Sequence, residues 1–321
     1  MRITQPVPCV ARLDQEDGAR LLSQFAVLGE GRSLIVDSGL PETPRQVLAP
    51  FLEEHGRANT PLALVITHMD ADHCGGTANL KRLVGPTTII AHAKESPPLG
   101  DPGATLRHRY SQFAASDGLH LDVAAERRIR ARLGDPFRVD MRVSANCEVS
   151  LGSTTCVVVH LPGHTAGHLG VWIPDESALI AGDAFMGAGI RTLEGRVLFP
   201  PQFVRPSLYL STIRFAQELD PAVLLCAHEE TMMQSSASAF LDSCLVMAEA
   251  IVEAVEESVS AGAKSLLNVC HEVKLINREW GNLPDSDFAI SVAGCLCEMT
   301  EEGRVTVGLR NGVRTFERSA K

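Results

Sequence analysis

Within six residues, from His68 to His73, the chain carries two imidazoles and two carboxylates: Thr67-His68-Met69-Asp70-Ala71-Asp72-His73-Cys74-Gly75-Gly76. The segment follows the apolar run Leu62-Ala63-Leu64-Val65-Ile66, which predicts a buried strand bounded by Pro61 and the glycines. Four titratable groups just past a strand end sit in a loop, where they converge on one point. Buried together, such groups are unstable unless paired or coordinated, and a metal is the simplest partner. Three later positions repeat the pattern. His164 follows the strand-like stretch from Thr154 to His160, Asp183 ends the run Leu179-Ile180-Ala181-Gly182, and His228 ends Val223-Leu224-Leu225-Cys226-Ala227. Each of these ligands is expected to project from the same edge of a sheet.

This ordered series resembles the metallo-β-lactamase superfamily, over roughly residues 20–260. The resemblance implies an α/β fold, an αββα four-layer sandwich with a dinuclear metal site. It assigns His68, Asp70 and His164 to a first metal and Asp72, His73 and His228 to a second, with Asp183 bridging the two. Asp37, in Leu34-Ile35-Val36-Asp37-Ser38-Gly39, matches the family's first motif and takes a structural role. Thr67, Thr165 and His168 flank the ligands and are expected to orient the imidazoles. The loop departs from the family at one place. The commonest form reads His-x-His-x-Asp-His, and here Asp70 stands where the second His is expected. A carboxylate there is similar to the flavodiiron proteins, whose loop carries Glu. It hardens the first site, so the two divalent ions expected are zinc, or iron or manganese in competition with it.

Composition narrows the function. The chain has 321 residues and a formal charge of −10, which argues against a nucleic-acid surface. No apolar run is long enough to span a bilayer, and Met1-Arg2-Ile3-Thr4-Gln5-Pro6 lacks a secretory apolar region. Nine cysteines without a framework suit a reducing compartment, so a cytoplasmic protein is expected. Cys74 and Cys226, beside the ligands, read as small apolar filler.

Residues 1–262 read as the catalytic domain and 263–321 as an α+β appendage of winged-helix type, suited to packing or homodimer contact. A β-hairpin is expected across Gly29-Glu30-Gly31-Arg32, and a helix over Pro44 to Glu54. Residues 93–145 break the rhythm and read as an insertion over the metals. Ser96-Pro97-Pro98-Leu99-Gly100 is loop chemistry, and Leu121, Ala125, Ile129 and Leu133 make one helix stripe. The arginines beside that stripe read as a solvated face. Ser207 is expected to cap the helix that runs to Leu219. His55, His92, His108, His120, His160 and His271 match no motif; His108 and His120, in the insertion, are the two to watch near substrate.

The leading expectation is a dinuclear metallohydrolase that aims a metal-bound hydroxide at an ester, thioester or lactone. Asp72 is its expected proton shuttle. Asp183 as bridge is similar to the glyoxalase II and lactonase branches, whereas the best-known β-lactamases carry Cys at that step. The alternatives are a phosphodiesterase and a diiron oxidoreductase resembling the flavodiiron proteins without their flavodoxin domain. A non-catalytic relative is disfavoured by the intact ligand set. A small-molecule substrate is expected, but no substrate contact is legible in the sequence.

Overall fold

Leu34-Ile35-Val36 and Leu179-Ile180-Ala181 are apolar at every position, so both faces of their strands must be covered. The computed structural model describes residues 2–96 and 98–320 and covers those faces in four layers. The first sheet runs in chain order: β1 (Arg2–Val7), β2 (Val10–Asp17), β3 (Arg20–Leu28), β4 (Ser33–Val36), β5 (Leu62–Val65), β6 (Thr87–His92) and β7 (Met141–Val143). Its first four strands are antiparallel neighbours, and β5 to β7 extend it in parallel. The second sheet takes β8 (Cys147–Ser150), β9 (Thr155–His160), β10 (Leu169–Ile173) and β11 (Ala178–Gly182). A two-stranded flap follows, β12 (Ile190–Arg191) with β13 (Val197–Phe199). Then β14 (Val223–Cys226) joins β11 in parallel and β15 (Met232–Met233) closes the edge.

Phe25, Val36 and Val65 meet Val158, Val171, Ile180 and Leu225 between the sheets. On the outer side of the first sheet, Leu64, Ile66 and Ile89 pack with Phe51, Leu52 and Leu80, which lie on the helices Ala49–Glu54 and Thr77–Leu83. On the other side, Leu179, Ala181 and Leu224 pack with Tyr209 and Ile213 of the helix Pro206–Leu219, and with Leu241 and Ile251 of Ser235–Ser260. Each such side chain contributes about 1.5–3 kcal/mol when fully buried. This is the αββα sandwich. It aligns the exits of β5, β9, β11 and β14 along one edge.

The insertion folds as the helices Pro102–Thr105, Ala114–Asp117 and Val123–Leu133, with a wide helical turn at Leu106–Tyr110. Ile129 and Leu133 face inward, while Leu121 precedes the helix. Arg130 pairs with Glu126 on the surface, but Arg132 reaches back to Asp17 at 2.7 Å. The Pro97 of the expected loop lies outside the described residues.

The C-terminal part carries the helices Leu266–Lys274 and Ala289–Glu301 and a three-stranded sheet: β16 (Lys264–Ser265), β18 (Val313–Arg318), β17 (Val305–Arg310) in that order. Val269, Trp280, Phe288, Val292 and Phe316 join one apolar cluster with Phe203, Tyr209 and Leu241. The packing therefore runs continuously across residue 262, and Trp280 Nε1 donates to the carbonyl of Ala188 at 2.8 Å.

One local expectation differs from the structure. Ser207 is not the cap of its helix, which starts at Pro206; its hydroxyl donates instead to Glu298 at 2.6 Å. β2 carries four charges in eight residues, Arg12, Asp14, Glu16 and Asp17. Arg12 is nonetheless 1% exposed, bonded to Asp14 (2.7 Å), Ser23 (2.9 Å) and the carbonyl of Glu229 (2.5 Å). That last bond ties the second strand to the loop after His228.

Candidate metal centre

Strand ends deliver the ligands. After β5 the chain turns through Thr67 and His68 into the short helix Ala71–Cys74, which carries Asp72 and His73. After β9, Gly163 has φ 143°, and a Cβ there would lie 2.5 Å from Tyr209 Cα; only glycine lets the His164 loop lie this close to the helix. After β11, Gly182 at φ 54° turns the chain to Asp183. His228 stands just beyond β14. The structure brings His68, Asp70, Asp72, His73, His164, Asp183 and His228 together.

All four imidazoles are held by Nδ1. His73 Nδ1 donates to Asp37 Oδ2 at 2.7 Å, and His228 Nδ1 donates to the Leu21 carbonyl at 2.7 Å. His164 Nδ1 donates to the Gln202 carbonyl at 2.9 Å. The Thr67 hydroxyl donates to Asp37 (2.8 Å) and accepts from His68 Nδ1 at 2.9 Å. Asp37 also accepts from the Thr67 amide at 2.7 Å, and it does so from a left-handed backbone, φ 63°. These bonds place a proton on each Nδ1 and leave Nε2, facing the carboxylates, as the atom a cation or a second proton can take.

Two groups of donors result, His68–His164–Asp183 and Asp72–His73–His228, each with its ligand atoms within 4.8 Å of one another. Asp183 Oδ2 lies 3.5 Å from His73 Nε2 and 3.4 Å from His228 Nε2. Asp72 Oδ2 lies 3.5 Å from His228 Nε2. The Nε2 atoms of His68, His73 and His228 are buried and find no hydrogen-bond partner among the described residues. Three orphaned lone pairs facing carboxylates fit divalent cations, whose loss would leave them unsatisfied.

The electrostatics agree. Burial, helped by His73, pushes His68 down to about 4, so its lone pair is available. Burial opposes charge on His228, but Asp183 draws a proton to it and raises it to about 9. His73 is raised well above its usual range, against burial, by Asp183, Asp37 and Asp72. Burial favours a neutral Asp183, yet His228 and His73 hold it well below the carboxylate range. Protons on these histidines do what cations do in a loaded site.

The flanking residues differ in their work. His168 stacks on His68 with ring centroids 4.9 Å apart, and its Nε2 accepts from the Asp183 amide at 3.2 Å. Thr165 is buried, and its backbone carbonyl accepts from Gly163, closing the His164 turn. His120 lines the cleft beside the centre; His92 and His160 instead stack on each other, away from the ligands, at 4.1 Å.

Two arginines complete the site, and sequence reading missed both. Arg20, at the start of β3, donates to Asp72 Oδ2 at 2.5 Å and lies over the Phe199 ring. Arg109, from the insertion, takes both oxygens of Asp70 at 2.6 and 2.7 Å. Tyr110 next to it accepts from the Ala71 amide at 2.9 Å, latching the insertion onto the ligand loop. Burial favours the neutral forms of Asp70 and Asp72, but Arg109 and Arg20 respectively outweigh it and hold both far below the usual carboxylate range. Asp72 thus lies between Arg20 and the imidazoles of His73 and His228. The centre opens into a cleft of about 760 Å³ with apolar walls from Phe113, Leu121, Ile129, Phe199 and Ile290. The turn from β2 to β3, the insertion, the flap and the C-terminal part all contribute to it.

The sequence profile described as the metallo-beta-lactamase superfamily matches residues 19–228. A hydroxyacylglutathione hydrolase of Methylococcus capsulatus is 26% identical over 246 residues, covering 76% of this chain and 75% of that one. One from Hyphomonas neptunium is 26% identical over 205 residues, or 63% of this chain and 59% of its own length. The chain thus spans less than two thirds of some of its curated relatives. Among solved structures, a metallo-beta-lactamase family protein of Thermus thermophilus superposes with a TM-score of 0.72 at 19% identity, over 98% of this chain and 99% of that one. A beta-lactamase domain protein of Burkholderia ambifaria gives 0.71 at 15% identity, over 99% and 93%. With the strand-end ligands, the four layers and a profile match over more than half its length, this chain belongs to the metallo-beta-lactamase superfamily.

Proposed function

We propose that the protein is a metal-dependent hydrolase of thioesters, esters or lactones. The observation that carries the reading is the set of four imidazoles, each pinned at Nδ1, with the Nε2 of His73 and His228 turned toward Asp72 and Asp183 and those of His68 and His164 toward Asp70. His73, His228 and Asp72 would hold one divalent ion, and His68 and His164 a second, with Asp183 within reach of both. Such ions, when bound, supply a water of lowered pKa and polarise the bond under attack.

The chain's own residues do the rest. Asp37 and Thr67 keep His68 and His73 in the coordinating tautomer. Arg20 keeps Asp72 ionised and so fit to bind a cation rather than to deliver a proton. The apolar walls of the cleft exclude water and suit an acyl chain. Two relatives carry the name hydroxyacylglutathione hydrolase, which supports acyl rather than phosphoryl chemistry.

The test is a panel of thioesters, esters, lactones and phosphodiesters with the metal-free, zinc, manganese and iron forms. We expect acyl substrates to be cleaved only by loaded protein, thioesters fastest, and cleavage to vanish in Asp183→Ala. Turnover of phosphodiesters alone would replace this reading with the phosphodiesterase. A redox-active iron form together with a zinc form inert on every substrate would replace it with the oxidoreductase.

A further inference from the structure

Arg109 enters the centre from the insertion and engages the atoms that one of the two positions needs. Its Nε lies 2.6 Å from Asp70 Oδ1 and its Nη2 lies 2.7 Å from Asp70 Oδ2. The same Nη2 donates to His164 Nε2 at 3.2 Å and approaches Gln202 Oε1 at 3.3 Å. An imidazole nitrogen has one in-plane lone pair. A metal at about 2.0–2.1 Å from His164 Nε2 takes that lone pair away from the guanidinium donor. A fixed positive charge this close also opposes a divalent ion. The other position also faces a guanidinium, Arg20 on Asp72 Oδ2, so charge alone does not separate the two; the difference is that no guanidinium donates to its imidazoles. His73 Nε2 and His228 Nε2 have no partner among the described residues, and Arg20 contacts Asp72 without reaching either imidazole.

We propose that Arg109 is a positioning residue that makes the two metal positions unequal. The Asp72–His73–His228 position loads first and tightly. The His68–His164 position loads weakly, because Arg109 holds Asp70 and His164 against it. Arg109 sits on the same insertion that forms the cleft wall, and its neighbour Tyr110 fixes the helix carrying Asp72 and His73. Any movement of the insertion that withdraws Arg109 therefore releases Asp70 and His164 to a second ion. This inference rests on reading the site as a metal centre, and not on which substrate it cleaves.

The experiment titrates the full-length metal-free protein with cobalt(II), following the visible spectrum and the paramagnetically shifted imidazole resonances, and repeats it in Arg109→Gln and Arg109→Lys. In the wild type the first equivalent should shift His73 and His228 and leave His68 and His164 in place. R109Q should tighten the weaker position by at least about tenfold. R109K, which keeps the charge, should stay near the wild type. Should R109Q fail to fold, the order of the wild-type shifts decides alone. A first equivalent that shifts His68 and His164, or an R109Q that loses the weaker ion, overturns the proposal and makes Arg109 an orienting partner of a ligating Asp70. A protein that loads in the proposed order yet cleaves nothing in the panel keeps this inference and loses the hydrolase reading.

Discussion

Replacing Asp37 by Asn tests the logic of the centre without touching a ligand. The backbone at Asp37 is left-handed, φ 63°, a region that Asn tolerates at least as well as Asp. The fold therefore has no reason to move. The Asn carbonyl can still accept from the Thr67 amide, now 2.7 Å away. The amide nitrogen then faces His73 Nδ1 and the Thr67 hydroxyl, both of which donate to the native carboxylate at 2.7 and 2.8 Å. A donor meets donors. The least costly escape is for His73 to move its proton to Nε2, the atom it needs for a metal. The bond lost is to an ionised acceptor and is worth about 1.5–3 kcal/mol. Partners of this kind typically support about 10–100-fold in metal affinity, or about 1.4–2.8 kcal/mol, which is the same range by an independent route. Competition for zinc against a chromogenic chelator reads the change directly, with circular dichroism to verify the fold. An Asp37→Asn protein that binds zinc as tightly as the wild type would refute the claim that Asp37 sets the tautomer of His73.

Other outcomes follow from the same geometry. In the metal-free protein Asp183 raises His228 to about 9, so it is protonated at pH 7, and His73 is raised in the same direction. Zinc uptake there should release at least the His228 proton, less of it as pH rises through 9, and calorimetry in buffers of different ionisation heat counts it. The sign for stability is the same: the charged His228 stabilises the metal-free fold below its ordinary pKa, and that contribution fades as pH climbs through about 9. Ile129→Glu places a charge in the apolar wall and should raise KM for long acyl substrates about tenfold while sparing short ones; equal effects on both would show that the wall does not contact the acyl chain. Gly163→Ala forces a Cβ to 2.5 Å from Tyr209 Cα and should cost about 1–3 kcal/mol in denaturant unfolding, along with part of the metal affinity through His164; a neutral substitution would mean that the loop adjusts freely.

The ligands were legible because each obeys a local rule. An apolar strand followed at once by His or Asp marks a buried group that needs a partner, and four such exits in order imply one sheet edge. The layers were implied by the family resemblance, and strands apolar on both faces are what such layers cover. Charged strands were not legible: Arg12 and Asp14 look solvated in sequence but neutralise each other inside. Nor were Arg20 and Arg109, since a buried ion pair is made by residues far apart, 52 positions for Arg20 with Asp72 and 39 for Arg109 with Asp70. Nothing in Leu106-Arg107-His108-Arg109-Tyr110 marks the third of its basic residues as the buried one. The same holds for the C-terminal residues. Local pattern reads them as an α+β appendage, but only packing shows them sharing the core of the sandwich and reaching the cleft.

Which atoms can bind metal was decided by residue type and strand-end spacing, properties of single short segments. Which of those atoms are free to do so was decided by the fold, because a guanidinium and a metal compete for the same lone pairs and only tertiary packing places Arg109 beside Asp70 and His164.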